Sequence, residues 1–319
     1  MTGRPPVVSV LLPAYNAERF VGAAVQSVLG QSFTDFELIV IDDGSTDGTL
    51  AALRAFDDPR VRLLSRENRG LVPTLVEAAG LARGTYLARM DADDVSLPGR
   101  LRRQVDFLDA HPGVALVGTD YTVLDTATGR SYAPGFLAHP DDLKVAQVVG
   151  NQFAHGSVMV RADVYRAVGG YDPERLPAED MDLWNRVSRV AGIANLPERL
   201  FVYRDNPAGI TSTSTAVQRT TALELRDEAF AHLLAHRRDY RLAGYHPRST
   251  GRSLRDYHER RAMVLRDLAH LHVHAGLRLR AVPLLLGAVA LAPWVSKTYR
   301  CFAGLASRRL LRRWAYEHL

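Results

Sequence analysis

The stretch RMDADDV, residues 89–95, places three carboxylates within four consecutive positions directly after the apolar run TYLA. Carboxylates this close repel one another unless a cation, a proton or a basic neighbour compensates their charge. Mg²⁺ and Mn²⁺ prefer oxygen ligands, and proteins typically hold Mg²⁺ through one or two carboxylates together with substrate phosphates. If the strand continues, Asp91 and Asp93 project to one side and can share such an ion, while Asp94 points elsewhere. The alternative is a group of helix-capping acids ahead of Pro98.

A second acidic stretch, VIDDGSTDGT, follows another apolar run. Asp43 at the strand end can accept the imide hydrogen of a pyrimidine base, and Gly44 and Gly48 allow the chain to turn tightly. Thr46 or Asp47 can cap the following helix, so a capping turn alone also explains this stretch.

A third stretch, PAEDMDLWNRV, sets Glu179, Asp180 and Asp182 ahead of an apolar helical face that includes Leu183 and Trp184. A carboxylate beside a bound substrate can take a proton from an attacking hydroxyl, which typically accelerates a reaction by about 10²–10⁴. The alternative is an acidic first helical turn that interacts favourably with the helix dipole.

The first 120 residues alternate apolar runs with helical patterns, which predicts a parallel sheet covered by helices on both faces. The predicted strands are Val7–Leu12, Phe36–Ile41, Val61–Leu64 and Thr85–Met90, and the predicted helices include 17–29, 74–82 and 98–110. Each strand is followed by a polar segment: PAYN, DDGSTDGT, SRENRG and DADD. Because ligands of such sheets bind beyond the carboxyl ends of the strands, we expect these four segments to gather along one edge.

The composition, 319 residues with 47% hydrophobic content, predicts a folded chain that is long enough for one large domain or for a domain with a substantial appendage. The single cysteine, Cys301, excludes an internal disulfide framework and fits a reducing compartment. The N-terminal segment lacks a long apolar stretch with a cleavage site, so we interpret it as a mature start. We therefore expect a cytoplasmic protein.

The charge is unevenly distributed along the chain. Residues 236–319 hold 17 Lys and Arg against 5 Asp and Glu, although the whole chain carries only +5. Within this basic region the apolar run Ala281–Val295 contains Pro283 and Pro293 and is too short to span a bilayer comfortably. With its flanking Arg, Trp and Tyr residues it resembles a segment in a membrane interface. A helix packed on the body of the protein is the alternative.

These segments together, in order and spacing, resemble the family 2 glycosyltransferases of the GT-A fold. The resemblance rests on VSVLLPAYNAERFVGAAVQSVLGQSFTDFELIVIDDGSTDGT, NRG, GTYLARMDADD, HGSVMVR, VGGYD and EDMDLW. It covers roughly residues 7–205 and implies an α/β fold, Rossmann-like, with a mostly parallel central sheet flanked by helices and a helical C-terminal extension. It further implies a catalytic domain over 1–215, with a nucleotide-binding half to about residue 120 and an acceptor-side half beyond it. Residues 216–319 form the basic helical region.

The resemblance also implies roles at matching positions. Asp91 would approach the ribose or reach the metal through water, and Asp93 would ligate the Mg²⁺ or Mn²⁺ that bridges the donor diphosphate. Asp180 would be the general base of an inverting transfer. The base of the nucleotide would be bound by residues of the first two strand ends, namely Pro13, Ala14, Tyr15 and Asp43.

Several further residues are candidates for binding. His155, with Gly156 and Ser157, falls where the family places an acceptor-side segment, and we place Glu179 and Trp184 on the same side. Arg66 and Arg69 are suited to hold a diphosphate, although both can equally be surface residues. His270 and His274 share a helical face, which makes a metal site there a remote alternative.

The sequence therefore predicts transfer of a sugar from a UDP- or dTDP-sugar to a glycan or lipid-linked glycan in bacterial cell-surface polysaccharide synthesis. The basic C-terminal region favours peripheral contact with the inner face of the cytoplasmic membrane. One alternative is a non-catalytic nucleotide-sugar-binding or scaffold protein on the same fold. A nucleic-acid-binding tail is disfavoured because no recognised DNA or RNA module accompanies it. A nucleotidyltransferase would normally carry a Gly-rich basic loop at the first strand, and LLPAYN is no such loop.

Overall fold

The computed structural model describes residues 4–134, 140–205, 215–236, 254–275 and 277–291, which form one sheet with helices on both faces. The strands are β1 (Val8–Ala14), β2 (Phe36–Asp43), β3 (Val61–Arg66), β4 (Tyr86–Arg89), β5 (Val95–Ser96), β6 (Val114–Asp125), β7 (Ser131–Tyr132), β8 (Met159–Arg161) and β9 (Gly192–Asp205). The helices are α1 (Val21–Leu29), α2 (Thr49–Arg54), α3 (Leu71–Leu81), α4 (Arg100–Ala110), α5 (Pro140–Gln147), α6 (Ala162–Ala167), α7 (Glu179–Val190), α8 (Thr215–Ala235), α9 (Leu254–His274) and α10 (Arg278–Leu291). The predicted alternation of strands and helices is confirmed.

The strands lie in the order β3-β2-β1-β4-β8-β6-β9-β5, with β7 paired to β6. The first four strands along the chain are parallel, as their apolar runs predicted. The other half of the sheet is mixed, because β8 runs antiparallel to β4 and β6 while β6 and β9 are parallel. Ala88 therefore pairs with Met159, which sets the end of β4 beside the start of β8.

Alternate side chains of the central strands enter two apolar cores, one on each face of the sheet. Val8, Val10 and Leu12 are fully buried with residues of α1 and α4. Leu11 and Ile39 point to the other face, where they join residues of α3 and α7. Burial of each such side chain contributes roughly 1.5–3 kcal/mol, so the sheet is held rigidly and its loops start from fixed positions.

The predicted C-terminal helices are present as α8, α9 and α10. Phe230 and Leu233 of α8 and Val264, Leu268 and Leu271 of α9 belong to the same core as β1 and α7. The basic region therefore packs directly on the sheet and its helices through its first two helices.

The last helix of this region, α10, has two different faces. Ala281 and Leu285 pack against α9, whereas Leu286 is 53% exposed. Pro283 lies inside the helix without ending it, and residues 292–295 of the predicted interfacial segment lie outside the described residues. Among the residues described by the structure, we find no helix of the length and apolar content that crossing a bilayer requires.

Candidate active site

The residues predicted to bind the nucleotide base lie at the ends of β1 and β2. Pro13 and Ala14 are buried, and Tyr15 follows them with 51% of its surface exposed. Asn16 adopts a φ of +47° and accepts a hydrogen bond from the backbone N–H of Thr46 at 2.8 Å. This contact ties the loop after β1 to the loop after β2, so Tyr15 is presented at the sheet edge.

Asp43, the last residue of β2, is engaged on both carboxylate oxygens. Oδ1 accepts from the backbone N–H of Arg69 and Oδ2 from that of Gly70, both at 2.9 Å, and Oδ1 also accepts from the guanidinium of Arg66. Gly70 precedes α3 with a φ of +88°, so Asp43 binds the entry of that helix. Among the described residues Oδ2 accepts a single hydrogen bond, so one of its lone pairs can still accept a hydrogen bond from a nucleotide base.

The two arginines after β3 lie in different environments. Arg66 is largely buried and also pairs with Glu77 at 2.8 Å, so its charge is neutralised within the protein. The side chain of Arg69 is half exposed, and within the described part of the chain its guanidinium pairs only with Glu67, at 3.4 Å. Arg69 is thus the more accessible cation for a phosphate group.

The DADD segment forms a tight turn and not the extended strand end assumed from the sequence. β4 ends at Arg89, and the backbone N–H of Asp94 lies 3.4 Å from the carbonyl of Asp91. The prediction that Asp94 points away from Asp91 is therefore wrong. In a turn, the first and fourth residues approach each other, which the period of two for a strand does not allow.

The three carboxylates have unequal partners. Oδ1 of Asp91 accepts from Nη2 of Arg89 at 2.6 Å, and Oδ1 of Asp94 accepts from the backbone N–H of Arg204 at 2.8 Å. Oδ2 of Asp94 is buried without a hydrogen-bond partner. Burial, followed by the charge of Asp91, raises the pKa of Asp93 to about 6, and the same two causes raise the pKa of Asp94. The turn therefore carries negative charge that the protein leaves incompletely compensated.

This arrangement fits a divalent cation. A Cβ atom built on Gly156 would lie 2.6 Å from Oδ2 of Asp91 and 3.1 Å from Oδ2 of Asp94, so the glycine leaves the space between these oxygens open. The donors are all oxygens, as Mg²⁺ and Mn²⁺ prefer. Within the described ranges, no group of three or more His, Cys, Asp or Glu side chains is arranged to hold a metal ion by itself. The protein thus offers a partial set of ligands.

The predicted base lies at the start of α7, opposite this turn. Asp180 is half-buried, and its Oδ2 accepts from Nδ2 of Asn151 at 2.6 Å. Glu179 is buried beside it, and burial followed by the negative charge of Asp180 raises the pKa of Glu179 to about 7. Asp180 is the more accessible of the two carboxylates.

His155 connects the two acidic groups. It begins the 3-10 turn His155–Ser157 ahead of β8, and its Nδ1 lies 3.9 Å from Oε1 of Glu179. Its Nε2 lies 2.7 Å from the hydroxyl of Tyr171. Burial, with the positive charge of Arg89, lowers the pKa of His155 to about 4, so the ring is neutral near pH 7.

Trp184 lies behind these residues. Its side chain is fully buried, with ring centroids 6.0 Å from His155 and 6.5 Å from Tyr171. It packs behind His155, which was predicted to lie on the acceptor side, and presents no surface to a ligand in this structure. The remote alternative of a metal site at His270 and His274 cannot be followed in the structure, because the side chain of His274 lies outside the described residues.

Sequence reasoning missed four residues at this site: Arg89, Asn151, Tyr171 and Arg204. Arg204 lies near the end of β9, and its Nη1 donates to the backbone carbonyl of Asp93 at 3.1 Å. Tyr171 belongs to the VGGYD segment, one of the segments on which the family resemblance rests, so the motif could have indicated that Tyr171 lies near the site. Nothing in the local pattern around Arg204 indicates that a chain segment 111 residues later returns to Asp93.

Comparisons with known proteins agree with this geometry. A profile described as Glycosyl transferase family 2 matches residues 9–167. EpsE of Bacillus subtilis (strain 168), named as a glycosyltransferase, is 37% identical over 215 residues, which are 63% of this chain and 74% of EpsE. The O-antigen biosynthesis glycosyltransferase WbnJ of Escherichia coli is 29% identical over 229 residues, covering 69% of this chain and 88% of WbnJ.

Two solved structures share the fold. TarS of S. aureus, residues 1–349 in complex with UDP-GlcNAc, has a TM-score of 0.59 at 18% identity and covers 92% of this chain and 91% of that one. The mannosyltransferase PcManGT of Pyrobaculum calidifontis, in complex with GDP-Man and Mn²⁺, has a TM-score of 0.54 at 21% identity and covers 98% and 83%. With its polar strand ends gathered at one sheet edge, this chain has the GT-A fold and is a glycosyltransferase of family 2.

Proposed function

We propose that this protein is an inverting, metal-dependent glycosyltransferase that moves a sugar from a UDP- or dTDP-sugar to a hydroxyl of a glycan acceptor. The observation that carries the proposal is the pairing of two acidic groups around the His155–Ser157 turn. The Asp91–Asp94 turn approaches Gly156 on one side, and Glu179 approaches His155 on the other. These contacts support a single site that binds a cation and holds the residue that accepts the proton.

The donor would bind across the ends of β1, β2 and β4. Tyr15 offers an exposed aromatic face to the base, Asp43 offers Oδ2 to the N3 hydrogen, and Arg69 offers a cation to the diphosphate. Asp91 and Asp93 would hold Mn²⁺ or Mg²⁺, which in its bound state supplies positive charge that stabilises the departing diphosphate. The Mn²⁺ in the complex of PcManGT supports this assignment.

The acceptor hydroxyl would lose its proton to Asp180. Nδ2 of Asn151 donates to Oδ2 of this carboxylate and the backbone N–H of Met181 donates to Oδ1, both at 2.6 Å, so the carboxylate is held in one orientation. Each oxygen keeps a further lone pair that can accept the proton. The acceptor oxygen attacks the anomeric carbon from the face opposite the nucleoside diphosphate, the bond to the diphosphate breaks, and the configuration inverts. Glu179 and His155 line the acceptor side of this site.

The experiment that tests the proposal begins with calorimetric titration of UDP, dTDP and GDP into the full chain, with Mn²⁺ and with EDTA. We expect binding of a pyrimidine diphosphate that requires the metal, followed by metal-dependent release of nucleotide from the matching sugar donor. Binding of GDP alone would overturn the pyrimidine assignment. Nucleotide binding without turnover over a panel of donors and glycan acceptors would favour the non-catalytic nucleotide-sugar-binding or scaffold alternative.

The acceptor is proposed to be a glycan or lipid-linked glycan of a bacterial surface polysaccharide, reached at the inner face of the cytoplasmic membrane. The name of WbnJ supports the polysaccharide. The net positive charge of residues 236–319 and the exposed Leu286 on α10 support contact with anionic lipid.

Liposome flotation over anionic vesicles tests this contact. We expect the full chain to float at low salt and Leu286→Asp to float less, whereas Leu223→Asp, a change of another exposed leucine on α8, keeps flotation. Wild-type protein that stays in the soluble fraction at low salt would contradict the membrane location and leave the transfer chemistry unaffected.

A further inference from the structure

Arg89 is a buried cation at the end of β4 that none of the roles above uses. Its side chain is only 2% exposed, and its Nη2 donates to Oδ1 of Asp91 at 2.6 Å. Nη1 donates to the carbonyl of Met90, and the backbone N–H of Arg89 donates to the carbonyl of Val158 at 2.9 Å. The guanidinium is thus fixed to the acidic turn, and the backbone of Arg89 is fixed to the segment that leads out of the His155–Ser157 turn.

The other side of Arg89 faces the base group. Arg89 lines a cavity of about 10 Å³ together with Tyr171 and Trp184, the two rings that pack against His155. The charged and titratable groups that act on Glu179 are Asp180 beside it on α7, and Arg89 and Asp91 at the end of β4, with His155 at 3.9 Å. Arg89 is the positive member of this set at neutral pH.

The charge of Arg89 acts on both acidic groups. On the donor side it pairs directly with Asp91 at 2.6 Å, and on the base side it lowers the pKa of Glu179 against the larger effect of burial. An arginine cannot lose its proton in a protein, so this compensation persists at every working pH. Its planar fork also fixes the direction of the carboxylate that it binds, which the point charge of a lysine does less well.

We propose that Arg89 is a positioning residue for sugar transfer, which orients the carboxylate of Asp91 and serves as the shared counter-charge between the Asp91–Asp94 turn and Glu179. This inference deepens the proposed function and rests on it, because a role in transfer requires that the protein transfers a sugar. The contacts that carry it are the buried ion pair with Asp91 and the place of Arg89 in the cavity beneath His155. The orienting part depends on the fork of the guanidinium, and the counter-charge part depends only on its charge.

Two substitutions separate these parts. Arg89→Lys keeps the charge and loses the planar fork, whereas Arg89→Gln loses both. Arg161→Gln is the matched control, because Arg161 lies in the same sheet on β8 and its guanidinium donates to the carbonyls of Val114 and Leu108, away from the acidic groups. Thermal unfolding of all three variants measures the loss of stability in each, so that this loss can be separated from an effect on binding or transfer.

The first measurement is the titration of the Glu179 side-chain carboxyl by ¹³C NMR, with Glu179→Gln used to assign the signal. We expect Arg89→Gln to raise the proton affinity of Glu179 several-fold, since a neighbouring positive charge favours the ionised carboxylate. Arg89→Lys and Arg161→Gln keep the wild-type midpoint.

The second measurement is calorimetric binding of UDP with Mn²⁺ and, in parallel, the kinetics of transfer. We expect both Arg89 variants to bind the metal–nucleotide pair about 10–100-fold more weakly, the range typical of residues that orient metal ligands. We further expect Arg89→Gln, but not Arg89→Lys, to move the acidic limb of the kcat profile to higher pH.

An unchanged Glu179 midpoint in Arg89→Gln, or metal–nucleotide binding in Arg89→Lys no weaker than in Arg161→Gln, would overturn the inference. If Arg89→Gln does not fold, the affinity of Arg89→Lys for UDP with Mn²⁺ still decides whether Arg89 orients Asp91. If the wild type transfers no sugar, the proposed function fails, and the NMR titration still decides whether Arg89 is the counter-charge of Glu179.

Discussion

Gly156 approaches Asp91 so closely that a Cβ atom on the glycine would lie 2.6 Å from Oδ2 of that carboxylate. The same Cβ would lie 2.6 Å from Cζ of the fully buried Phe201. The side chain of Asp91 would have to move, although its other oxygen is held by Arg89. We therefore expect Gly156→Ala to lose most metal-dependent nucleotide binding, measured by calorimetry. Gly150→Ala is the control, because a Cβ at that position meets nothing within 4 Å.

Asp93 is expected to be required for binding of the nucleotide in the presence of metal. Its carboxylate is held at a raised pKa of about 6 by burial and by Asp91, a cost that a bound cation would relieve. Asp93→Ala should abolish the difference in UDP affinity between Mn²⁺ and EDTA in a calorimetric titration. Asp106→Asn, on the exposed face of α4, should retain it. Equal metal dependence in the two variants would remove Asp93 from the proposed site.

Asp180→Asn separates donor binding from chemistry. Asparagine keeps the size of the side chain and can still accept the hydrogen bond from Asn151, but it cannot take the proton of an acceptor hydroxyl. We expect nucleotide binding close to wild type and a fall in kcat of about 10²–10⁴. Asp163→Asn, an exposed acid in the first turn of α6, serves as the control for charge alone. Wild-type transfer by Asp180→Asn would exclude this residue as the base.

Asp43→Ala is expected to reduce both stability and nucleotide affinity. Removal of this carboxylate leaves the backbone N–H groups of Arg69 and Gly70 and the guanidinium of Arg66 without their acceptor. A loss of about 1–3 kcal/mol in the free energy of unfolding is typical of such an uncompensated group. Denaturant unfolding measures the first effect and calorimetry with UDP the second. Unchanged UDP affinity in a destabilised variant would limit Asp43 to the entry of α3.

Glu179 should give the stability of the protein a defined pH dependence. Its pKa is raised to about 7 in the fold, compared with 4.5 for the ordinary side chain, so between these values the folded state binds more protons than the unfolded state. The contribution of Glu179 to stability therefore falls as the pH rises from about 4.5 to 7. Asp93 and Asp94 have raised pKa values too, so the informative quantity is the difference between wild type and Glu179→Gln.

We expect Glu179→Gln to flatten the stability profile over this range, measured by denaturant unfolding at a series of pH values. Glu174 is an exposed acid in the 3-10 turn Pro173–Arg175 that precedes α7, so Glu174→Gln should leave the profile unchanged. Parallel profiles of wild type and Glu179→Gln would mean that the side chain of Glu179 titrates normally.

The order of strands and helices, and the sheet edge at which the site lies, could be predicted from the sequence. The hydrophobic periods that distinguish strands from helices can be read within short segments of the chain. The position of Asp94 could not be predicted, since the sequence does not show where a strand ends and a turn begins, and β4 ends at Arg89, one residue before the end of the predicted strand Thr85–Met90. Trp184 belongs both to the apolar helical face and to the predicted acceptor-side residues. The structure buries its indole in the core, as the helical period indicates.

The contributions of Arg89 and Arg204 depend on contacts that no local pattern encodes. Arg89 is a polar residue within an apolar run, and only its burial shows that it serves the acidic groups. Arg204 reaches Asp93 because β9 runs the length of β6 and returns to the sheet edge. Such residues become visible only when the sheet order is known.

The shared core of α8, α9 and the sheet has a consequence for how the protein unfolds. Phe230 and Leu268 lie in the same apolar cluster as Leu11 and Trp184, so separation of the C-terminal helices would expose part of the hydrophobic interior of the catalytic domain. The two regions predicted from the sequence should therefore denature together in a single cooperative transition. A chain cut after residue 215 would be expected to aggregate because that apolar surface would face water.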